Sequence, residues 1–143
     1  MMALQTAGFL VAVPFGENTR YDLIIDDGEQ LQRVQCKTGR LRRGAVLFNT
    51  CSSYAHHPNP QVLKRDYAGE IELFAVYCPE TTDVYLIPIE DVRAKRRASL
   101  RVAPSRNNQQ RGIREADDYV VASVSAIATA GLRASSGGSA PCA

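Results

Sequence analysis

The sequence predicts a mixed α/β (α+β) domain built on a central mixed β-sheet with few flanking helices. Short apolar, partly β-branched runs recur along the first ninety residues. The acidic, Gly-containing tract Asp26-Asp27-Gly28-Glu29-Gln30 separates two of them in the manner of a hairpin turn. The helical candidates, Met1 to Ala7 and Ile89 to Arg97, are short.

Taken in order, Met1 to Ala7 predicts a few helical residues stopping at Gly8, too short to hold unless packed. Phe9 to Val13 is apolar throughout and reads as a buried strand ended by Pro14. After the loop Phe15 to Thr19 comes the hairpin, with strands at about Tyr21 to Ile25 and Leu31 to Lys37. Thr38 to Gly44 reads as a basic turn, and Ala45 to Asn49 as a further strand of the same sheet. Ser52 to Ala68, with Pro58 and Pro60 and little periodicity, is expected to be irregular. Ile71 to Cys78 and Val84 to Ile87 form a second predicted hairpin, and Leu100 to Val102 a small edge strand. Ile113 to Tyr119 suits a helical turn.

Length bounds this to one domain, residues 1–121, large enough to bury a core. Residues 122–143 are mostly Ala, Ser and Gly and are expected to be a disordered tail, with at most a weak helix over Val120 to Leu132. No apolar run reaches bilayer length and the start lacks a signal peptide's basic region, so a cytoplasmic protein with no membrane partner is expected. Cys36, Cys51, Cys78 and Cys142 lack CxxC spacing, which argues against a zinc ribbon or thioredoxin-type site. The net charge of +2 hides strong segregation. Five bases between Arg33 and Arg43 and eight between Arg93 and Arg114, thirteen of the seventeen, lie in windows without an acid. Such blocks suit a polyanion; the plainer alternative is a solvated face balanced in space by Asp26, Asp27 or Glu90.

Within the predicted hairpin, Asp22 faces Gln35 and Lys37 across the strands. Side chains alternate along a strand, so Gln35 and Lys37 share a face while Cys36 points away. A carboxylate, an amide oxygen and an ammonium then converge, as a divalent cation and a phosphate both require. Asp22-x12-Gln35-Cys36-Lys37 has the layout of the PD-(D/E)xK nuclease superfamily. The wider text is more specific: Pro14 to Leu23, Arg33 to Leu41, Cys51-Ser52-Ser53-Tyr54, Tyr77 to Thr81 and Asn107-Asn108-Gln109. Together, over roughly Gly8 to Tyr119, these closely resemble the group I intron-associated, homing-type PD-(D/E)xK endonucleases, whose core is like that of Holliday junction resolvases.

The resemblance implies a restriction-endonuclease-like core and a metal-dependent DNA endonuclease, homing-type or resolvase-like, that hydrolyses phosphodiester bonds. It implies Mg²⁺ or Mn²⁺ held by Asp22, the Gln35 side-chain oxygen and the Cys36 backbone carbonyl, with Lys37 orienting water or stabilising charge. Gln35 stands where the superfamily usually has an acid, as it does in the intron-type branch. The family's glutamate on an N-terminal helix has no counterpart among Met1 to Phe9, which reads as a truncated helix; Glu17 is the candidate substitute ligand. Duplex or branched DNA is the implied partner, with a homo-oligomer. Arg20, Arg40, Arg42, Arg43, Arg106, Asn107, Asn108 and Gln109 are the expected DNA contacts. Tyr54, His56 and His57 are expected to line a DNA-facing loop or simply to pack; Cys51 with the two histidines lacks zinc-ligand spacing. The runner-up is a catalytically impaired DNA-binding remnant of that family.

Overall fold

A computed structural model of the chain describes residues 1–16, 18–55, 62–92, 96–104 and 112–122. Two short helices, α1 (Met2–Thr6) and α2 (Ile89–Val92), accompany eleven strands among these residues. The strands are β1 (Leu10–Ala12), β2 (Leu23–Asp26), β3 (Leu31–Thr38), β4 (Arg40–Arg42), β5 (Ala45–Asn49) and β6 (Ser52–Ala55), followed by β7 (Val62–Arg65), β8 (Leu73–Cys78), β9 (Asp83–Pro88), β10 (Arg97–Arg101) and β11 (Val120–Ala122). No helix among them is long and apolar enough to cross a membrane.

Six strands form the main sheet in the order β1-β2-β3-β8-β9-β11. It is mixed, because β3 and β8 run parallel while its other neighbours are antiparallel. The hairpin β2–β3 is in register Leu23↔Val34 to Asp26↔Leu31. Its turn is pinned by side chains: Asp26 Oδ1 accepts from the Gly28 N–H at 2.8 Å, and Asp27 Oδ1 from those of Glu29 and Gln30 at 2.9 Å. Gly28, at φ +91, takes a conformation L-residues rarely adopt. These local bonds explain why the acidic tract turns here.

A three-stranded sheet, β10-β5-β4, packs on one face of the main sheet. Val46, Phe48, Ala98 and Leu100 from it meet Phe74, Val76, Tyr85 and Ile87 in the larger core. Leu4, Leu23, Ile25, Val34, Leu73 and Ala75 form a second core on the opposite face. Burial of Leu4 there holds the five-residue α1, after whose cap at Ala7 the chain turns away at Gly8 with φ +97.

Gly39 is the joint between the sheets. A Cβ at this position would lie 2.6 Å from Val46 Cγ1 and 3.0 Å from Val76 Cγ1. Only glycine lets the chain leave β3 and enter β4 between those buried valines.

Four expectations are corrected. Thr38 to Gly44 is not all turn, since Arg40–Arg42 pairs with β5 as a strand, its alternation of Arg out, Leu in, Arg out hidden by charge. The strand Ala45–Asn49 belongs to the second sheet, not the first. Ser52 to Ala68 contains the antiparallel pair β6–β7, in register Ser52↔Arg65 to Ala55↔Val62. Phe9 to Val13 is not a fully buried strand: β1 is an edge strand with Leu10 and Val13 exposed, while Phe9 and Val11 are half-buried against the second core. Residues 123–143, the expected tail, lie outside the described residues.

Candidate active site

Asp22 immediately precedes β2, and its N–H donates at 2.9 Å to the carbonyl of Val34, the residue already paired with Leu23, so the regular β2–β3 ladder ends here. Asp22 Oδ2 accepts from the Cys36 backbone N–H at 2.8 Å and, through a short bond, from Gln35 Nε2. The same Gln35 amide nitrogen is 3.4 Å from the Cys36 carbonyl oxygen. Pairing with β2 stops at Val34 while β3 continues to Thr38. Cys36 thus points its N–H and C=O to a side where β2 has no residue left to meet them. A carboxylate, an amide and a main-chain carbonyl gather at this frayed end of the ladder.

The alternation expected of β3 is realised. Gln35 and Lys37 register with Phe74 and Val76, which face the larger core, whereas Cys36 registers with Ala75 of the second core. Lys37 therefore shares Gln35's face, about 7 Å further along the strand. Partial desolvation, and then the Asp22 carboxylate, push the Cys36 thiol pKa up. The thiol is on the face opposite Gln35 and Lys37, so only the backbone of Cys36 is suited to the cluster.

The Lys37 ammonium donates to the Tyr67 hydroxyl at 2.8 Å and lies 4.7 Å from the ring centroid. Tyr67 is 4% exposed and packs edge-on against Phe74 with centroids 5.7 Å apart. The Arg20 guanidinium carbon lies over the same ring at 4.4 Å. Arg20, expected on DNA, has all three nitrogens engaged within the protein: Nε with Glu70 at 2.6 Å, Nη1 with Ser52 Oγ at 2.9 Å and Nη2 with the Asp66 carbonyl at 2.6 Å. Glu70 also pairs with Arg65. Tyr67 and Glu70 were not among the residues singled out from sequence. Their only signal is an aromatic and an acid in the polar run Lys64 to Glu70, and their contacts with Arg20 and Lys37 span 30 to 50 positions.

Of the other expected contacts, Arg40 and Arg42 lie on β4 with exposed side chains, and Arg43 holds a positive φ of 50 in the turn that follows. Tyr54 lies on β6. Glu17, His56, His57, Arg106, Asn107, Asn108 and Gln109 lie outside the described residues. Helix α1 carries no acid, and among the described residues no three His, Cys, Asp or Glu side chains converge as a metal-binding group.

The donors nevertheless suit a hard divalent cation. Mg²⁺ takes oxygen ligands, keeps several waters and is often held by one or two carboxylates together with substrate phosphate. Asp22, the Gln35 amide and the Cys36 carbonyl each carry a suitable oxygen, and the Gln35 Nε2 now bridges the other two.

Comparison with known proteins bears on the same region. A family profile described as PD-(D/E)XK endonuclease matches residues 1–122. Among solved structures, the bacterial homing endonuclease I-Ssp6803I is similar with a TM-score of 0.64 and 20% sequence identity, over 95% of this chain and 90% of that one. At that identity the likeness shows the fold, a restriction-endonuclease-like sheet assembly. No curated protein matches the chain.

Proposed function

The chain belongs to the PD-(D/E)XK endonuclease family, and from that premise we propose a divalent-metal-dependent DNA endonuclease centred on Asp22, Gln35 and Lys37. One observation carries the reading: the Asp22 carboxylate is joined directly to the Gln35 amide and the Cys36 main chain, on the strand whose same face presents Lys37.

Asp22, the Gln35 oxygen and the Cys36 carbonyl would hold Mg²⁺ or Mn²⁺. When bound, such a cation supplies polarisation of the scissile phosphate and acidifies a coordinated water. Asp22 is the one anionic donor of the set, so it supplies most of the attraction for the cation. The Gln35 amide now turns its NH₂ to the carboxylate, the arrangement that satisfies both groups by themselves; its oxygen is the end that serves as a ligand. Lys37 donates to the attacking water or to the phosphate oxygens as charge grows in the transition state. Tyr67 fixes where that ammonium sits. The products by this reading are a 5′-phosphate and a 3′-hydroxyl, and the fold likeness to a homing endonuclease favours the homing-type mode over junction resolution. Domain limits of 1–121, a DNA-contacting role for Arg40, Arg42 and Arg43, and a homo-oligomer belong to the same proposal.

A second reading, the catalytically impaired DNA-binding remnant, is favoured by the single carboxylate of the cluster among the described residues. Titration of Mn²⁺ against the full chain, followed by its electron paramagnetic resonance signal, separates the two. The proposal expects a bound fraction that disappears in Asp22→Asn; a chain that takes up no Mn²⁺ in the presence of duplex DNA fits the remnant.

A further inference from the structure

We infer that the outer face of the β4-β5-β10 sheet is a docking surface for the major groove of duplex DNA. This rests on the DNA-directed reading above but concerns a different face from the Asp22–Lys37 cluster. The register of the small sheet orders its side chains in rows across the strands. Arg42, Ala45 and Arg101 form one row, Arg40, Leu47 and Ser99 the next, and Asn49 with Arg97 the last. Alternate residues Leu41, Val46, Phe48, Ala98 and Leu100 face the larger core, so these rows face outward. The outward rows carry four arginines and no acid.

Among the described residues, three of the four arginines also lack an acidic partner. Glu80 lies 4.0 Å from Arg40, but among the described residues Arg42, Arg97 and Arg101 have no carboxylate within ion-pair distance. Each end of the face opens into a cationic groove. One, of about 360 Å³, reaches from the Arg42–Arg101 row to the middle row and is lined by Arg42, Arg43, Leu47, Ser99, Arg101 and Arg114 among others. The other, of about 340 Å³, is lined by Asn49, Lys64, Arg96 and Arg97 among others. Four residue steps along β5, Ala45 to Asn49, separate the two end rows, about 13 Å at the rise of a strand. The major groove of B-form DNA is about 12 Å wide between its phosphate rims and admits β-ribbons. Arginines at both ends of the face therefore meet both rims, while Arg40, Leu47 and Ser99 lie between them, facing base edges. A merely solvated face would need neither the single sign of charge nor the match to groove width.

The test uses the full chain in EDTA, so that cleavage does not intervene, and a short duplex in two forms: ordinary, and with its cytosines replaced by glucosylated 5-hydroxymethylcytosine, which fills the major groove. The inference predicts at least about tenfold weaker binding to the filled duplex, the loss of roughly one good groove contact, and little effect of the minor-groove ligand netropsin on the ordinary one. It also predicts that Arg42→Gln/Arg101→Gln lowers the slope of log affinity against log salt by about 1.8, two phosphates at about 0.9 each. Arg42→Gln/Arg97→Gln repeats the measurement without disturbing the Arg101 bond to the Arg43 carbonyl. Equal binding to both duplexes, an unchanged slope in both double variants, or no binding to the ordinary duplex overturns it. Lys37→Ala, assayed with Mg²⁺ beside these, keeps the two failures apart. If it alone loses cleavage while the arginine variants bind normally, the docking face is wrong and the nuclease reading stands. Groove-dependent binding by a chain that cleaves nothing upholds the docking face and removes the nuclease reading.

Discussion

The Lys37 ammonium is hydrogen-bonded to the Tyr67 hydroxyl at 2.8 Å, and Tyr67 is in turn wedged between Phe74 and the Arg20 guanidinium. A lysine on a flexible four-carbon stem is thereby given one position on the face it shares with Gln35. Tyr67→Phe keeps the ring and its packing but removes the acceptor. Turnover of DNA is expected to fall about tenfold with KM little changed, because the loss is in positioning rather than in binding. Chemical denaturation should show stability changed by no more than about 1.5 kcal/mol. A turnover equal to wild type would separate Tyr67 from the function of Lys37.

Asp22 serves structure as well as the proposed chemistry, since it accepts from the Cys36 N–H and the Gln35 amide. Asp22→Ala leaves both exposed donors to water and should cost no more than about 1 kcal/mol in urea denaturation. Asp22→Asn retains an acceptor oxygen and is expected to be nearly as stable as wild type while losing Mg²⁺-supported cleavage by about 100-fold or more. Measured side by side, the two variants separate folding from catalysis at one position.

Arg33 and Glu72 tie β3 to the start of β8, with Arg33 Nη2 2.6 Å from Glu72 Oε1 and the Arg33 N–H 2.6 Å from Oε2. The Arg33 side chain, followed by its backbone N–H, holds the Glu72 carboxyl below its ordinary value of 4.5, against an opposing desolvation. A carboxyl depressed in the folded state stabilises above its unfolded pKa and loses that contribution as pH falls through the folded one. Both partners are more than a third exposed, so screening limits the effect to under about 1 kcal/mol. Glu72→Gln should therefore be less stable than wild type at neutral pH, and the gap should close below the lowered pKa of Glu72. Equal gaps at both pH values in urea denaturation would contradict this.

Gly39→Ala places a methyl 2.6 Å from Val46 Cγ1, between two valines that are completely buried. Stiff β-branched neighbours give way poorly, so a loss of about 1–3 kcal/mol is expected by thermal or urea denaturation. An unchanged midpoint would mean that the sheets separate at this joint without cost.

Much of this fold was legible because apolar runs and turn chemistry are local. Leu23 to Ile25, Leu73 to Cys78 and the Asp26–Gln30 turn announce themselves within a few residues, and the Asp22/Gln35/Lys37 layout follows from strand alternation alone. What was not legible depends on distant partners. Nothing around Thr38 to Gly44 marks that the chain changes sheets at Gly39, because the reason is the pair Val46 and Val76. The β6–β7 pair hides in a segment without alternation, and its role is to bring Tyr67 and Glu70 back to Lys37 and Arg20. Leu10 looked buried because it is apolar; the sheet order, which no local pattern encodes, leaves β1 at the edge.

The central claim, that Lys37 and the Asp22–Gln35–Cys36 cluster form a metal-dependent phosphodiesterase centre, is tested most directly by nicking of supercoiled plasmid DNA in Mg²⁺ by wild type and Lys37→Ala of equal stability. The account predicts cleavage by wild type that EDTA abolishes and that Lys37→Ala reduces by about 100-fold or more. Cleavage at the wild-type rate by Lys37→Ala, or no cleavage by wild type in Mg²⁺ or Mn²⁺, would contradict it.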